Sequence, residues 1–212
     1  MAIEFDPKAD SRSVEELVNI ALSEVDEELV WQAIAALHWK GTRDVLQRAE
    51  ALCCSQCARE RCQGAQILGQ LGVPDRTFPV ECSRRLQNML KVDERAEVLE
   101  AALVGLSFQH DVEAVPLIVT FSTHVDAEVR NAVVMALLSY EAPLAIECLI
   151  ALSRDSDPHV RDWATFGLGT QINLDTPEIR AALADRLDDP DDATRWEALV
   201  GLELRQTKEQ SR

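Results

Sequence analysis

The chain has 212 residues, 47% of them hydrophobic, enough for a sizeable core in one large domain or two small ones. Against 21 basic side chains stand 37 acidic ones, a formal charge of -16. A field of that sign repels phosphate backbones and anionic lipid, which disfavours nucleic-acid and membrane-surface binding and leaves a basic partner as the natural complement.

The opening MAIEFDPKADSRS has no basic start and no apolar run, and stretches such as VPLIVTF are too short to span a bilayer, so a cytoplasmic protein is expected. From Val14 onward, segments of helical periodicity come in pairs. VEELVNIAL precedes LVWQAIAAL, and DVLQRAEALC precedes ERCQGAQILGQLG; VECSRRLQNML leads to the segment around Val98 to Leu106. EAVPLIVTF then precedes DAEVRNAVVMALL, APLAIECLIAL precedes DPHVRDWATFGLG, and PEIRAALADRL precedes DDATRWEALVGL. Each pair is joined by a polar turn, and nothing alternates as a sheet strand would.

The second members share a register. With Val160 as position 0, Asp157 stands at -3, Arg161 at +1, Ala164 at +4 and Leu168 at +8. The same origin falls at 29, 60, 98, 129, 160 and 194, with steps of 31, 38, 31, 31 and 34. At 100° per residue, positions 0, +3, +4, +7 and +8 form one apolar stripe. Position +4 is filled by Ala33, Gly64, Ala102, Val133, Ala164 and Ala198, small enough to let helices approach closely. Asp126, Asp157 and Asp191 stand where an N-cap satisfies orphan amides. One pair cannot bury both its stripes, so neighbouring pairs must stack and share a core.

DPHVRDWATFGLG, DAEVRNAVVMALL and ERCQGAQILGQLG resemble HEAT repeats, in the short subclass also found in phycobilisome lyase subunits. The resemblance covers about Val14 to Leu204. It implies an all-α, right-handed α-α superhelix (solenoid) of about six HEAT-like helix pairs, a single repeat domain over 1–212 with short flexible ends at about 1–12 and 206–212. The pattern departs at Val30 and Leu99, where the arginine is missing, and in the long linker VPDRTFPVE.

Arg61, Arg130, Arg161 and Arg195 share the +1 slot. A phosphate-binding ladder conflicts with the acidic surroundings; a structural ladder pairing Arg with Asp of the same or adjacent repeat is expected. In CCSQCARERC, Cys54 and Cys57 have the spacing of a zinc half-site, with Cys53 and Cys62 nearby. No second half-site of that kind exists, and Cys53 continues the apolar series Leu46, Ala49 and Leu52, so no metal is assigned and reduced thiols are expected. His38, His110, His124 and His159 share no spacing, and the His-Glu dipeptides of the di-iron HEAT hydroxylases are absent. With no phosphate loop and no serine elbow, no catalytic residue and no cofactor are assigned.

Positions +2 and +6 lie opposite the stripe, where solvent demands polar residues. They hold Trp31 and Ala35, Cys62 and Gln66, Glu100 and Val104, Asn131 and Met135, Asp162 and Phe166, Trp196 and Val200, eight of the twelve being apolar. In HEAT-like stacks the second helices line the concave side. An apolar strip with a charged rim there marks an interaction surface, in which tryptophan is a favoured anchor. The partner-binding set is therefore Trp31, Glu100, Val104, Asn131, Met135, Asp162, Phe166, Trp196 and Val200, with Glu100 and Asp162 selecting basic groups. The competing expectation is that curvature or self-association covers the strip. Functionally, a non-catalytic module for a basic protein or peptide is expected, an immunity or regulatory protein being one form. A lyase-like or chaperone subunit holding a tetrapyrrole or other apolar ligand is the alternative.

Overall fold

The structure is a computed structural model; it describes residues 5–138 and 140–210, the side chains of 208–210 excepted. Twelve α-helices in six antiparallel-patterned pairs follow one another among the described residues, without a strand. The pairs are α1 (Val14–Ser23) with α2 (Glu27–Lys40), α3 (Arg43–Leu52) with α4 (Ala58–Gly69), and α5 (Pro79–Val92) with α6 (Ala96–Ser107). They continue with α7 (Val115–Val119), entered through a 3-10 turn at Val112–Ala114, and α8 (Ala127–Leu137); α9 (Pro143–Leu152) and α10 (Pro158–Phe166); α11 (Pro177–Ala184) and α12 (Asp192–Gln210). The helices gather into two compact units, Met1–Gln109 with the first three pairs and His110–Arg212 with the last three.

Capping fixes where the helices begin. Ser13 and Glu16 exchange hydrogen bonds in a capping box at α1. Asp26, Asp126 and Asp157 each accept amides of the first turn of α2, α8 and α10, and Asp191 accepts the amide and hydroxyl of Thr194. The linker VPDRTFPVE, where the repeat pattern departs, is tied down by side-chain contacts. Arg76 donates to the Gly69 carbonyl, Thr77 donates to the Gly41 carbonyl, and the Arg43 guanidinium lies 4.1 Å from the centre of the Phe78 ring.

The stripe packs as its periodicity dictates. All six +4 residues are buried, as are Leu37, Leu68, Leu106, Leu137 and Leu168 at +8. In α2 burial starts one turn late, since Leu29 at position 0 is 39% exposed. Within the first unit α4 packs on α6, and within the second α10 packs on both α8 and α12. The closest approaches repeat between units. A Cβ at Gly69 would lie 3.0 Å from the Gly105 Cα, and one at Gly201 would lie 2.6 Å from the Gly169 Cα. Glycine stands at these crossings because the backbones leave no room for a side chain.

Candidate functional site

Three arginines of the +1 slot, Arg61, Arg130 and Arg161, form a structural ladder, whereas Arg195 pairs with the exposed Asp192 of its own helix. Arg61 grips Asp93 with Nε at 2.5 Å and Nη2 at 3.2 Å; Arg130 grips Asp155 at 2.7 Å with both nitrogens; Arg161 grips Asp189 at 3.0 and 2.9 Å. In all three, Nη1 reaches back to carbonyls five and six residues earlier, such as Ser156 and Asp155 for Arg161. Each aspartate also accepts the amide two residues on. The partner is thus not the capping aspartate four residues before the arginine, but one in the turn of the following pair. Burial alone would push the Asp189 carboxyl up; the Arg161 guanidinium and the Asp191 amide outweigh it and hold the group below its ordinary value. The same balance holds Asp93 and Asp155 down. Leu99 lacks this chemistry, and in the turn where the next aspartate would stand, His124 Nδ1 accepts the Asp126 amide. The division between the units falls between these two residues.

The cysteines are thiols in different settings. Cys53 is buried and its thiol is pushed up to about 12, first by burial. Cys54 and Cys57 are exposed, and the half-buried Cys62 donates to the Glu97 carbonyl at 3.3 Å. Among the described residues no group of three or more His, Cys, Asp or Glu is arranged to hold a metal ion.

None of the twelve residues at +2 and +6 is buried. Trp31 is 61% and Trp196 64% exposed, while Glu100, Val104, Asn131, Met135, Asp162, Phe166 and Val200 are half-buried. Within each unit the chain's own packing leaves every strip side chain at least partly exposed.

In the first unit, Trp31, Glu100 and Val104 come together in a groove of about 530 Å³ between α2, α4 and α6, with Ile34 and Phe108 as further apolar walls. The Phe5 ring meets Trp31 edge-on, with centroids 6.3 Å apart. His38, also on the groove wall, is buried, and since a carbonyl only accepts, its Nε2 donates to the Gln66 oxygen at 2.9 Å. Burial pushes this imidazole below its ordinary value, against the opposing Gln66 bond and with the Arg76 charge, so it is neutral at pH 7.

In the second unit, Asn131 and Met135 lie on α8, Asp162 and Phe166 on α10, Trp196 and Val200 on α12. Phe166 stacks edge-on against Trp163 at 5.5 Å. Asn131 Oδ1 and Asp162 Oδ1 are both buried atoms without a hydrogen-bond partner. Burial, then the Asp191 charge, push the Asp162 carboxyl above its ordinary value, with His159 opposing; burial and the Asp162 charge do the same to Glu197. The sequence reasoning missed Glu197, Phe108 and His38. Glu197 carried a signal, being a carboxylate at +3, on the stripe that the periodicity assigns to the core.

A stack of paired helices closed by arginine-aspartate turns defines an all-α repeat protein of the HEAT-like class. Residues 83–169 match the family model of HEAT repeats. It is 29% identical over 182 residues to protein YibA of Escherichia coli K12, an alignment covering 81% of this chain and 63% of that relative, so the chain spans less than two thirds of the relative's length. The X-ray structure of Escherichia coli YibA superposes with a TM-score of 0.72 at 24% identity, over 95% of this chain and 73% of that one. A designed armadillo repeat protein in complex with the peptide (KR)4 follows at a TM-score of 0.56 and 14% identity, covering 91% and 99%. The complex of CpcE and CpcF of phycocyanin lyase from Nostoc has a TM-score of 0.50 at 20% identity, covering 93% and 84%. These likenesses concern the fold. Among the described residues no helix is long and apolar enough to cross a membrane.

Proposed function

We propose that the chain is a non-catalytic binding module that holds a protein or peptide with a basic patch against the +2 and +6 strip of its second helices. The observation that carries this reading is the contrast within each second helix: every +4 residue is buried, and no strip residue is, although eight of the twelve are apolar. A charge of -16 supplies the complementary field. A repeat stack of similar fold holds the peptide (KR)4. An immunity or regulatory role in the cytoplasm, where six free thiols persist, is the form of this activity we favour.

The test is direct. An immobilised octapeptide of alternating Lys and Arg should retain the wild-type chain, and the double variant Phe166→Ser, Met135→Ser should lose retention while keeping its far-UV circular dichroism. Loss of helicity instead would make those side chains core and end the proposal.

A second reading is favoured by the groove of the first unit. Its volume of about 530 Å³ and its walls of Trp31, Val104 and Phe108 suit an apolar ligand of small-molecule size. In that reading the chain is a lyase-like or chaperone subunit for a tetrapyrrole or similar ligand, and a visible absorbance band in protein purified from its native cells would favour it.

A further inference from the structure

The first unit sorts its charges between separate depressions. A cleft of about 770 Å³ beside the turn between α3 and α4 gathers Arg61, Arg85 and Arg95 with Asp93 and Glu94. The groove of about 530 Å³ between α2, α4 and α6 has Glu97 and Glu100 on its walls and, among the described residues, no lysine or arginine. A depression beside it, sharing Trp31, Ile34 and Gln66, adds Glu24 and Glu27 against Arg59 alone. The arginine cleft shares no lining residue with either. The negative character of the groove is therefore local, and more than its share of the net charge.

Between the carboxylates the walls are apolar. Trp31, 61% exposed, and the half-buried Val104 and Phe108 stand around the buried Ile34. Glu97 meets Arg95 at 3.5 Å with both side chains more than half exposed, a pair of little energetic weight. The leading segment of the chain shows what α2 accepts. The Phe5 ring meets Trp31 edge-on at 6.3 Å, and Lys8 Nζ stands 4.2 Å from the centre of the Trp39 ring. An aromatic ring and, three residues on, an ammonium group thus pack on one helix, while most of Trp31 stays open.

We propose that the groove seats a bulky apolar side chain of the basic partner, aromatic by preference, with an adjoining lysine or arginine held at Glu97 and Glu100. This rests on the binding-module reading and narrows the partner it takes. Positive charge alone leaves the apolar walls wet, and an acidic apolar segment meets two carboxylates. Filling the groove expels water from Trp31 and strengthens the charge pair at its rim, since Coulomb attraction grows as the local dielectric falls. The recognised segment is a large apolar residue set between basic ones.

The experiment is calorimetric titration of the full chain with two nonapeptides of equal charge, each with four alternating Lys and Arg residues on either side of a central Phe or a central Gly. The Phe peptide should bind about tenfold more tightly, the scale of burying one aromatic side chain. Val104→Arg, which puts a cation on the groove wall, should cut that preference below about threefold. Equal affinity of the two peptides for the wild-type chain would overturn the groove proposal and leave the module standing. If neither peptide binds, the module reading falls and the groove proposal with it. An undiminished preference in Val104→Arg would also overturn it. Photocrosslinking of the same peptide, with benzoylphenylalanine at its centre, to the wild-type chain keeps the test independent of any variant's folding. Mass spectrometry should place the adducts on Trp31, Ile34, Val104 and Phe108; adducts on the second unit, or spread over both units, contradict the proposal.

Discussion

Asp189 and Asp162 belong to the same unit, the first buried and the second half-buried with one shielded oxygen, yet their electrostatics are opposite. Asp189 closes a turn, accepts from two arginines and an amide, and sits below its ordinary pKa. Asp162 is half-buried near the Asp191 charge, leaves one oxygen unsatisfied and sits above its own. The first arrangement stabilises the stack. The second costs the free protein stability.

The comparison breaks most visibly at the turns. Arg161→Ala leaves the Asp189 carboxylate, 1% of whose side chain is exposed, with only Arg186 and the Asp191 amide, and should cost about 1.5–3 kcal/mol in urea denaturation. A loss under about 1 kcal/mol, the exposed-pair range, would show that the ladder is ornamental. Next comes the helix crossing. Gly201→Ala puts a Cβ 2.6 Å from the Gly169 Cα and should cost about 1–3 kcal/mol, whereas an unchanged unfolding midpoint would mean the crossing is looser than described.

Acid titration sharpens the contrast through its signs. The folded pKa values of Asp93, Asp155 and Asp189 lie below the ordinary 3.8, so their stabilisation is complete above that pH and is lost as pH falls below it. His38, whose folded pKa lies below 6.5, adds a shallower loss that begins as pH drops under 6.5, because the unfolded chain takes up the proton first. Asp162 and Glu197 act in the other direction: raised in the folded state, they favour folding at low pH and lose that contribution as pH rises through their folded values. Stability measured against pH in Asp162→Asn with Glu197→Gln should therefore lack this component, and an unaltered profile would deny it. The smallest effect expected is that of Asp162→Asn alone at pH 7, within about 0.5 kcal/mol of wild type or slightly more stable. A marked destabilisation would assign Asp162 to the fold.

The six helix pairs were legible because a stripe of period 3.6 with small residues at +4 admits few arrangements, and the caps Asp126, Asp157 and Asp191 mark helix starts by chemistry alone. The arginine ladder was legible as structure, but its partners were not. In Asp155-x-Asp157 and Asp189-x-Asp191 the second aspartate caps and the first reaches across to the previous pair, a distinction made by packing and not by local sequence. The strip was legible as exposed from helical angles. Its chemistry was half hidden, since Glu197 stands at a stripe position and acquires meaning only when α12 packs against α10.

The most direct test of the central claim is an NMR titration that follows side-chain carboxyl carbons of individual aspartates in the free protein. Asp189 should titrate below 3.8 and Asp162 above it. If Asp162 titrates with Asp189, the division between a carboxylate that holds the stack and one left with an oxygen unsatisfied is wrong.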